Sequence, residues 1–338
     1  MQCPVCGGEC VRDAAEVVGT VPVVFSPCNE CEAVPLDKGA PLPRDYEPAA
    51  ACTCGRRFID EVFASIYRVL REEGTIAGTE PLRAAGMPVV HPGFALATPP
   101  FLPARSLVLL SPHPDRRAAE RIVREVPEVR GVVRTGQAVP GLTAGGHAAH
   151  ELLAGCDVQA NLFSTSIGEV VVYKELSQTH IEFPRPVNLK IAAVEREIGR
   201  HAPHTFVDAC SGAGTLGLAA ALAGVPEVVF CDAHGPAAFW TAANIRANRD
   251  AFLVDDIAVH AEREMIPEVR DDPVLVAEAW GDQHLLVYHG DLARLPPLLE
   301  KPERSLAALD IFGKEDRDAC TRALAAWRGA GGGKAFIP

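Results

Sequence analysis

The sequence predicts an α/β protein whose C-terminal part, residues 181–338, contains a Rossmann-like parallel sheet. From Thr205 onward, apolar strand patterns alternate with helical patterns, as is typical of parallel β-α-β units. A glycine-rich turn at 207–217, VDACSGAGTLG, follows the first of these strands. Seven of the eleven cysteines lie within residues 1–54, which indicates a separate metal-binding domain.

The elements of the C-terminal part follow one another in a regular order. Strands are predicted at 205–210, 227–233, 284–291 and 306–313, and helices at 217–224 and Pro236–Asn248.

The preceding sequence divides at about residue 55. Residues 1–55 are rich in Cys, Pro and Gly and show little periodicity, so a metal is the expected support for this small domain. Residues 56–180 form an α+β middle domain suited to substrate recognition. Its elements are a helix at Arg56–Glu73, short strands within 75–112, a helix at Pro114–Val126, a strand at Val129–Arg134 and a hairpin at Asn161–Ser177 turning near 166–168. A further helix is predicted at Asn188–Gly199.

Composition limits the classes of function. The chain has 338 residues, 48% hydrophobic and 22% charged, with a formal net charge of −12. This charge does not suggest a protein built mainly to coat nucleic acid, although a local basic face is compatible with it. No apolar run reaches the ~18 residues that span a membrane, and no secretory signal pattern is visible. We therefore expect a soluble, cytoplasmic protein with reduced thiols.

The glycine turn predicts a nucleotide-type cofactor. Gly212, Gly214 and Gly217 form a GxGxxG pattern between a strand and a helix, where the backbone can approach a ligand closely. Nicotinamide and flavin enzymes share this spacing, so the glycines alone do not identify the cofactor.

Three carboxylates at strand ends favour one cofactor. Asp208 precedes the glycines and would repel a pyrophosphate, but it suits the cationic S-adenosylmethionine. Asp232 ends the second strand and is placed to accept the ribose hydroxyls. Asp291 follows the third strand and is placed to accept the adenine amino group, with Leu292 packing on the base.

With these residues the sequence resembles class I S-adenosylmethionine-dependent methyltransferases over about residues 185–338. The resemblance implies that the cofactor is bound by Asp208, Gly212, Gly214, Asp232, Asp291 and Leu292. A nicotinamide enzyme, or a glycine turn in an unrelated α/β protein, is the alternative.

The resemblance also implies a strand number. Class I methyltransferase domains usually have seven strands, and the pattern in this chain ends at what would be the fifth. The last hairpin is therefore missing, supplied from elsewhere, or replaced by upstream strands such as 161–177.

A shorter, gapped resemblance lies upstream. The segments RGVVRTGQAVPGLTAGG (130–146), ELLAGCDVQANLFSTS (151–166) and FWTAANIRANRD (239–250) are similar to the archaeal tRNA guanine-N1 methyltransferase and wybutosine aminocarboxypropyl transferase group. This similarity implies tRNA as substrate. That group has Asn-Pro-Pro or Asn-Leu-Pro after the fourth strand, and this chain has LDIFG instead.

The LDIFG segment faintly resembles the Asp-Pro-Phe-Gly of the tRNA guanine-N2 dimethyltransferases. Asp310 would accept a hydrogen bond from the incoming nucleophile or deprotonate it, and Phe312 would stack on a planar substrate. The alternative is an edge-of-sheet Asp beside a core Phe. His180, Glu182, Arg185 and Asn188 either line the pocket or are solvated loop residues.

Cysteine spacing predicts a zinc ribbon. Cys3-x-x-Cys6 and Cys28-x-x-Cys31 together supply four thiolates for a tetrahedral Zn²⁺ site. Alternatively, a third pair, Cys52-x-Cys54, takes the place of Cys28 and Cys31, and Cys10 is spare. An iron–sulfur cluster is a further alternative. The scattered cysteines, Cys156 among them, are expected to be small buried hydrophobes.

Possible partners follow from the charges. Residues 105–134 contain seven arginines, which form either a tRNA-facing patch or a solvated helix face. The predicted function is a tRNA methyltransferase. The alternatives are a methyltransferase for a protein side chain or a coenzyme-like small molecule, and a non-catalytic zinc-ribbon adaptor with a degenerate fold. The methylated atom is not predicted.

Overall fold

The structure, a computed structural model, describes residues 1–138 and 150–338. These residues divide into two compact units. The first comprises Met1–Val11, Glu16–Asn161 and Glu175–Gln178; the second comprises Arg12–Ala15, Leu162–Lys174 and Thr179–Pro338. Part of the segment that resembles the tRNA methyltransferase group, residues 139–146, lies outside the described residues. The predicted division into three domains, at residues 55 and 180, stays a prediction.

The helices within the described residues are α1 (Ala14–Val24), α2 (Ile59–Glu72), α3 (Arg116–Glu125), α4 (Leu189–His201), α5 (Thr215–Leu222), α6 (Gly235–Ala247) and α7 (Arg317–Gly329). The strands are β1 (Arg57–Phe58), β2 (Met87–Val90), β3 (Phe101–Leu102), β4 (Leu107–Ser111), β5 (Val129–Arg134), β6 (Glu151–Gly155), β7 (Val158–Ser164), β8 (Glu169–Glu175), β9 (Thr205–Asp208), β10 (Glu227–Asp232), β11 (Val254–Val259), β12 (Val274–Gly281), β13 (His284–His289), β14 (Ser305–Ala308) and β15 (Lys334–Phe336). None of the helices described is both long and apolar enough to span a membrane.

The first unit is built on a four-stranded sheet in the order β2-β4-β5-β6. Strands β4 and β5 are parallel and the outer two pairs are antiparallel. Helix α2 buries Val62, Ile66, Tyr67 and Leu70, the apolar positions that predicted it. The predicted helices at 56–73 and 114–126 and the strand at 129–134 are therefore confirmed, each within a few residues.

The second unit contains a seven-stranded sheet in the order β11-β12-β13-β10-β9-β14-β15. Strands β13, β10, β9, β14 and β15 are parallel to one another. Numbered along the chain, these five lie in the order 3-2-1-4-5, which is the doubly wound arrangement with its switch point between the first and fourth strands. The predicted α/β fold class with a Rossmann-like parallel sheet is confirmed by this order.

The two strands that bring this sheet to seven lie at an edge that the sequence does not predict. Strands β11 and β12 add to β13 as an antiparallel pair, so the extra strands lie beyond the third parallel strand. The hairpin predicted at 161–177 is present as β7 and β8, turning at 165–168, but these strands form a separate two-stranded sheet. Upstream strands therefore do not replace the last strands of the large sheet.

Residues 1–55 contain a helix that the sequence analysis did not predict. Helix α1 includes Pro22, and its apolar residues run together without a clear period, so the sequence gives little helical signal. Val17 on this helix is 1% exposed, which shows that burial rather than amphipathic pattern supports it.

Candidate cofactor site and cysteine clusters

The glycine turn between β9 and α5 has the backbone conformation that glycine favours. Gly212 and Gly214 adopt φ values of +53° and +91°, in the left-handed region. The turn is closed by a hydrogen bond from the Gly214 amide to the Ser211 carbonyl at 2.7 Å. A side chain at Gly214 would also approach Thr241 on α6 to 3.2 Å.

Gly217 has a different function from the other two glycines. A Cβ atom at this position would lie 2.2 Å from Cε1 of Phe230, a fully buried ring on β10. Absence of a side chain therefore lets helix α5 pack directly against the sheet, which brings its N-terminus to the strand ends.

Asp208 is the predicted acid at the end of β9, and it holds the start of α5. Its Oδ2 accepts a hydrogen bond from the Gly217 amide at 2.8 Å. Its Oδ1 is buried and has no hydrogen-bond partner among the described residues. Burial, with the nearby charges of Asp310 and Asp232, raises the pKa of Asp208 to about 8 even though the Gly217 amide acts in the opposite direction.

Asp232 lies directly beside the glycine turn. Its two oxygens accept hydrogen bonds from the Gly212 amide at 2.8 Å and the His234 amide at 2.9 Å. Burial raises the pKa of this carboxyl despite both hydrogen bonds. The structure therefore brings together Asp208, Asp232 and the two glycines Gly212 and Gly214, as the sequence predicts.

Asp291 and Leu292 follow β13, the neighbour of β10. The Asp291 carboxylate accepts from the Ala293 amide at 2.7 Å and begins a short 3-10 turn at Leu292–Arg294. Leu292 is half-buried against an apolar cluster that includes Cys231 and Leu295. Both residues stand at the carboxyl edge of the parallel strands, where they were expected.

Helix α6 supports the glycine turn through two side chains that the sequence analysis did not single out. Thr241 donates to the Gly212 carbonyl at 3.0 Å, and Asn244 donates to the Ala213 carbonyl at 2.9 Å. The signal was present in FWTAANIRANRD, but a sequence pattern does not show which side chains reach the turn.

Asp310, which the sequence predicts to accept a hydrogen bond or a proton from the nucleophile, lies just after β14. Its carboxylate is paired with two lysine side chains. Lys190, at the start of α4, donates to Asp310 Oδ2 at 2.8 Å, and Lys314 forms an ion pair with Oδ1. Although burial acts in the opposite direction, the charge of Asp310 raises the pKa of Lys190. Both oxygens of Asp310 therefore contact ammonium groups, which hold the carboxylate in place and suit it to orienting an acceptor through a hydrogen bond.

Phe312 is 43% exposed, so the alternative of a core Phe is excluded. Its ring meets the imidazole of His180 edge to face, with centroids 5.5 Å apart and an interplanar angle of 84°. Partial burial and the charges of Lys174 and Lys190 lower the pKa of His180, which favours a neutral ring at pH 7. An open aromatic face is therefore available beside Asp310.

Lys174, on β8, is a buried lysine near the predicted site that the sequence does not reveal. It is 3% exposed, and its ammonium donates to the carbonyls of Glu182 at 3.1 Å and His180 at 3.4 Å. Burial lowers the pKa of Lys174 to about 8 although Glu182 acts in the opposite direction. In the sequence this residue looks like an ordinary strand lysine.

The remaining pocket candidates have structural contacts or face solvent. Asn188 caps α4 by accepting from the Lys190 and Ile191 amides, and its amide group donates to Glu182 at 3.3 Å. Arg185 is exposed. The structure thus assigns Asn188 to a helix cap.

The cysteines form two clusters rather than the single predicted site. Cys3 and Cys6 lie with Cys10 and Cys156, which we call the knuckle cluster. Cys28 and Cys31 lie with Cys52 and Cys54, which we call the ribbon cluster. The expected grouping of Cys3 and Cys6 with Cys28 and Cys31 is not formed, because each pair has nearer thiols. Within the ribbon cluster, sulfur–sulfur distances are 3.5 Å from Cys28 to Cys52 and from Cys31 to Cys54.

The arginines of residues 105–134 are largely neutralised. Five of them form ion pairs with four glutamates: Arg116 and Arg134 with Glu151, Arg117 with Glu73, Arg121 with Glu72, Glu73 and Glu125, and Arg124 with Glu125. Arg130 is 3% exposed, and Arg105 is exposed. Little uncompensated positive charge is left on this segment.

The chain is similar in structure to parts of several known proteins. Neither a protein-family model nor a curated protein matches the chain. Among solved structures, Trm1 from Pyrococcus horikoshii, solved with S-adenosyl-L-methionine, is 18% identical with a TM-score of 0.36; the match covers 52% of this chain and 40% of that one. An M. jannaschii tRNA m1G37 methyltransferase is 15% identical with a TM-score of 0.31, covering 57% and 50%.

P. horikoshii TYW2, solved with MeSAdo, is 19% identical with a TM-score of 0.32, covering 55% of this chain and 60% of that one. The chain spans about half the length of the solved chains it matches. At this level of similarity, the fold assignment rests on the strand order of the large sheet.

Proposed function

We propose that this chain is an S-adenosylmethionine-dependent methyltransferase. The observation that supports this most directly is the placement of Asp208, the glycine turn and Asp232 at the carboxyl ends of the adjacent parallel strands β9 and β10. In a doubly wound sheet, ligands bind at this edge beside the switch point, here between β9 and β14.

The charge of the site favours a cationic ligand. Asp208 and Asp232 both lie at the turn, and a pyrophosphate there would meet two carboxyl groups. The buried, unpartnered Oδ1 of Asp208 provides an acceptor for a cation. A nearby cation would lower the raised pKa of this carboxyl and so bind the ionised form. The nicotinamide alternative is disfavoured for this reason.

The other cofactor contacts are proposed from position. Asp232 would accept the ribose hydroxyls, Asp291 the adenine amino group, and Leu292 would pack on the adenine. When bound, S-adenosylmethionine supplies an electrophilic methyl group. This chain's residues then position the acceptor in line with it, and positioning of this kind accounts for much of an enzymatic rate enhancement.

For the acceptor we propose a planar nitrogen base presented by tRNA. Phe312 offers an exposed ring for stacking, and Asp310 offers a carboxylate held by Lys190 and Lys314. In this arrangement Asp310 accepts a hydrogen bond from the acceptor and orients its lone pair. His180 borders the ring of Phe312.

A second candidate is a methyltransferase for a protein side chain or a small planar molecule. The observation that favours it is the neutralised arginine stretch, since phosphate binding requires uncompensated positive charge. The net charge of −12 agrees with this candidate.

The ribbon cluster fits a structural Zn²⁺ ion. Four thiolates around one ion at ~2.3 Å would lie ~3.8 Å apart. Three of the six sulfur separations in the cluster are 3.5–3.7 Å, and the others lie within 4.8 Å. We therefore propose Cys28, Cys31, Cys52 and Cys54 as the zinc ligands, with Cys52 and Cys54 in place of Cys3 and Cys6. Sites of this type need reduced thiols, which agrees with a cytoplasmic protein.

Methyl transfer from radiolabelled S-adenosylmethionine into a cell extract tests the proposed activity and acceptor together. Fractionation of the extract into RNA, protein and small molecules then assigns the acceptor. Label in tRNA supports the first candidate, and label in protein or small molecules supports the second. Absence of transfer to every fraction, together with absence of cofactor binding, would leave only the non-catalytic adaptor.

A further inference from the structure

The knuckle cluster begins with a closed turn at the N-terminus. The amide of Cys3 donates to the Gly8 carbonyl at 2.8 Å, and the Gly7 amide donates to the Cys3 carbonyl at 2.9 Å. Gly7 has a φ of +70°, which favours glycine. This turn directs Cys3 and Cys6 to one side, and Cys10 lies within 3.3 Å of Cys6, sulfur to sulfur.

The fourth thiol comes from far along the chain. Cys156 lies between β6 and β7, is 1% exposed, and is fixed by its amide, which donates to the Arg130 carbonyl at 2.8 Å. Its sulfur is 3.8 Å from that of Cys3 and 3.8 Å from that of Cys10. All four sulfur atoms lie within 4.8 Å of one another.

We propose that Cys3, Cys6, Cys10 and Cys156 bind a second zinc ion, which fastens the N-terminal turn to the end of β6. Three of the six sulfur separations, 3.3–3.8 Å, are close to the ~3.8 Å edge of a tetrahedron of thiolates at ~2.3 Å from one ion, and the others lie within 4.8 Å. A four-iron cluster occupies more space than a single ion and needs its thiolates farther apart.

A buried arginine provides a second, independent observation. Arg130 is 3% exposed, and among the described residues no carboxylate lies within ion-pair distance of it. Its Nη2 is 3.9 Å from the Cys156 sulfur, and its Nε has no hydrogen-bond partner. A buried guanidinium needs a compensating negative charge. Four thiolates on one divalent ion carry a net negative charge, which four neutral thiols would not supply.

This site differs in kind from the ribbon cluster. All ribbon ligands lie within residues 28–54, so that ion supports a local segment. The knuckle site joins residues that are 146 positions apart, from Cys10 to Cys156. Binding an ion there closes a long loop, so the binding free energy contributes to the stability of the first unit. The proposal does not depend on the proposed methyltransferase activity.

The test is the number of zinc ions per chain in the purified full-length protein, measured by elemental mass spectrometry. The wild type is expected to contain two zinc ions, one for each cluster. Cys156→Ser and Cys6→Ser should each contain one, as should Cys54→Ser through loss of the ribbon ion. Cys320→Ser, outside both clusters, is the matched control and should keep both. Cys6 is exposed, so its variant tests the site without altering the core.

Hydrogen exchange locates the effect. In Cys6→Ser, residues 1–11 should lose amide protection while residues 28–54 keep it, and Cys54→Ser should show the reverse. The proposal is overturned if the wild type contains one zinc ion and both Cys156→Ser and Cys6→Ser retain it. Iron with visible thiolate-to-iron absorption that is lost in these two variants would equally overturn the assignment to zinc.

Discussion

The carboxylate of Asp208 accepts a hydrogen bond from the amide of Gly217 at 2.8 Å, and this contact ties the end of β9 to the first turn of α5. The same carboxylate leaves its other oxygen buried beside the glycine turn without a partner among the described residues. One residue thus both fixes the start of α5 and offers a buried acceptor beside the glycine turn.

Cofactor binding should therefore be coupled to proton release. Asp208 has a pKa of about 8, so it is largely protonated at about pH 6.5, and a bound amine lowers that pKa. The complex then holds fewer protons than the free protein, so affinity for S-adenosylhomocysteine should rise as the pH increases toward 8.

Calorimetry in two buffers of different ionisation enthalpy measures the released proton. Asp208→Asn should show no such contribution; equal proton release in wild type and variant would refute the coupling.

Gly217→Ala should destabilise the second unit. Its Cβ would lie 2.2 Å from the Phe230 ring, and overpacking of this kind costs roughly 1–3 kcal/mol. Gly199→Ala on α4 is the matched control, because a Cβ there meets nothing within 4 Å. That variant should be neutral or more stable by about 0.5–1 kcal/mol. Urea unfolding measures both, and equal stability of the two variants would contradict the packing argument.

Asn248→Ala should weaken the attachment of strand β8. The Asn248 side chain accepts from the Val171 amide at 3.0 Å and donates to the Val171 carbonyl at 2.7 Å, as Asn244 does for Tyr173. Loss of both partners for buried backbone groups should cost roughly 2–4 kcal/mol in the free energy of unfolding. Arg246→Ala, at an exposed position in the last turn of α6, which ends just before Asn248, should change it by less than about 0.5 kcal/mol. Thermal and urea unfolding measure both variants. If Asn248→Ala is as stable as the wild type, its hydrogen bonds to Val171 do not contribute to stability.

Substitutions of Asp310 and Phe312 should change the kinetics with the methyl acceptor without changing the affinity for the cofactor. Phe312→Ala should raise KM for the acceptor about ten-fold, since stacking on an aromatic ring contributes ~1–3 kcal/mol per base. Asp310→Asn should lower kcat about ten-fold with an unchanged pH profile. A general base would instead account for roughly 10²–10⁴-fold and would shift that profile. Leu298→Ala, an exposed apolar residue elsewhere in the unit, is the control.

The local patterns predicted much of the second unit. The alternation of strands and helices from Thr205, the glycine turn and the acids at 208, 232 and 291 depend on residues close together in the chain, so one sequence reveals them. Strand β11 was not predicted because adjacent acids, Asp255 and Asp256, interrupt its apolar pattern. Its partner β12 belongs to the sheet only through pairing with β13.

Relationships between distant residues could not be predicted in this way. Cys156 was expected to be a small buried hydrophobe, and only folding places its sulfur beside Cys3 and Cys10. Similarly, the pairing of Asp310 with Lys190 joins residues 120 positions apart and changes the expected role of the carboxylate. The sequence likewise does not show that Glu72, at the end of α2, and Glu73, directly after it, pair with Arg121.

The central claim is that the turn between β9 and α5, with Asp232, binds S-adenosylmethionine. Calorimetric titration of the full chain with S-adenosylhomocysteine tests it most directly. We expect saturable binding of one ligand per chain, greatly weakened in Asp232→Ala and retained in Phe312→Ala. Absence of binding to a folded wild type, or equal binding by the wild type and Asp232→Ala, would contradict the assignment of this site.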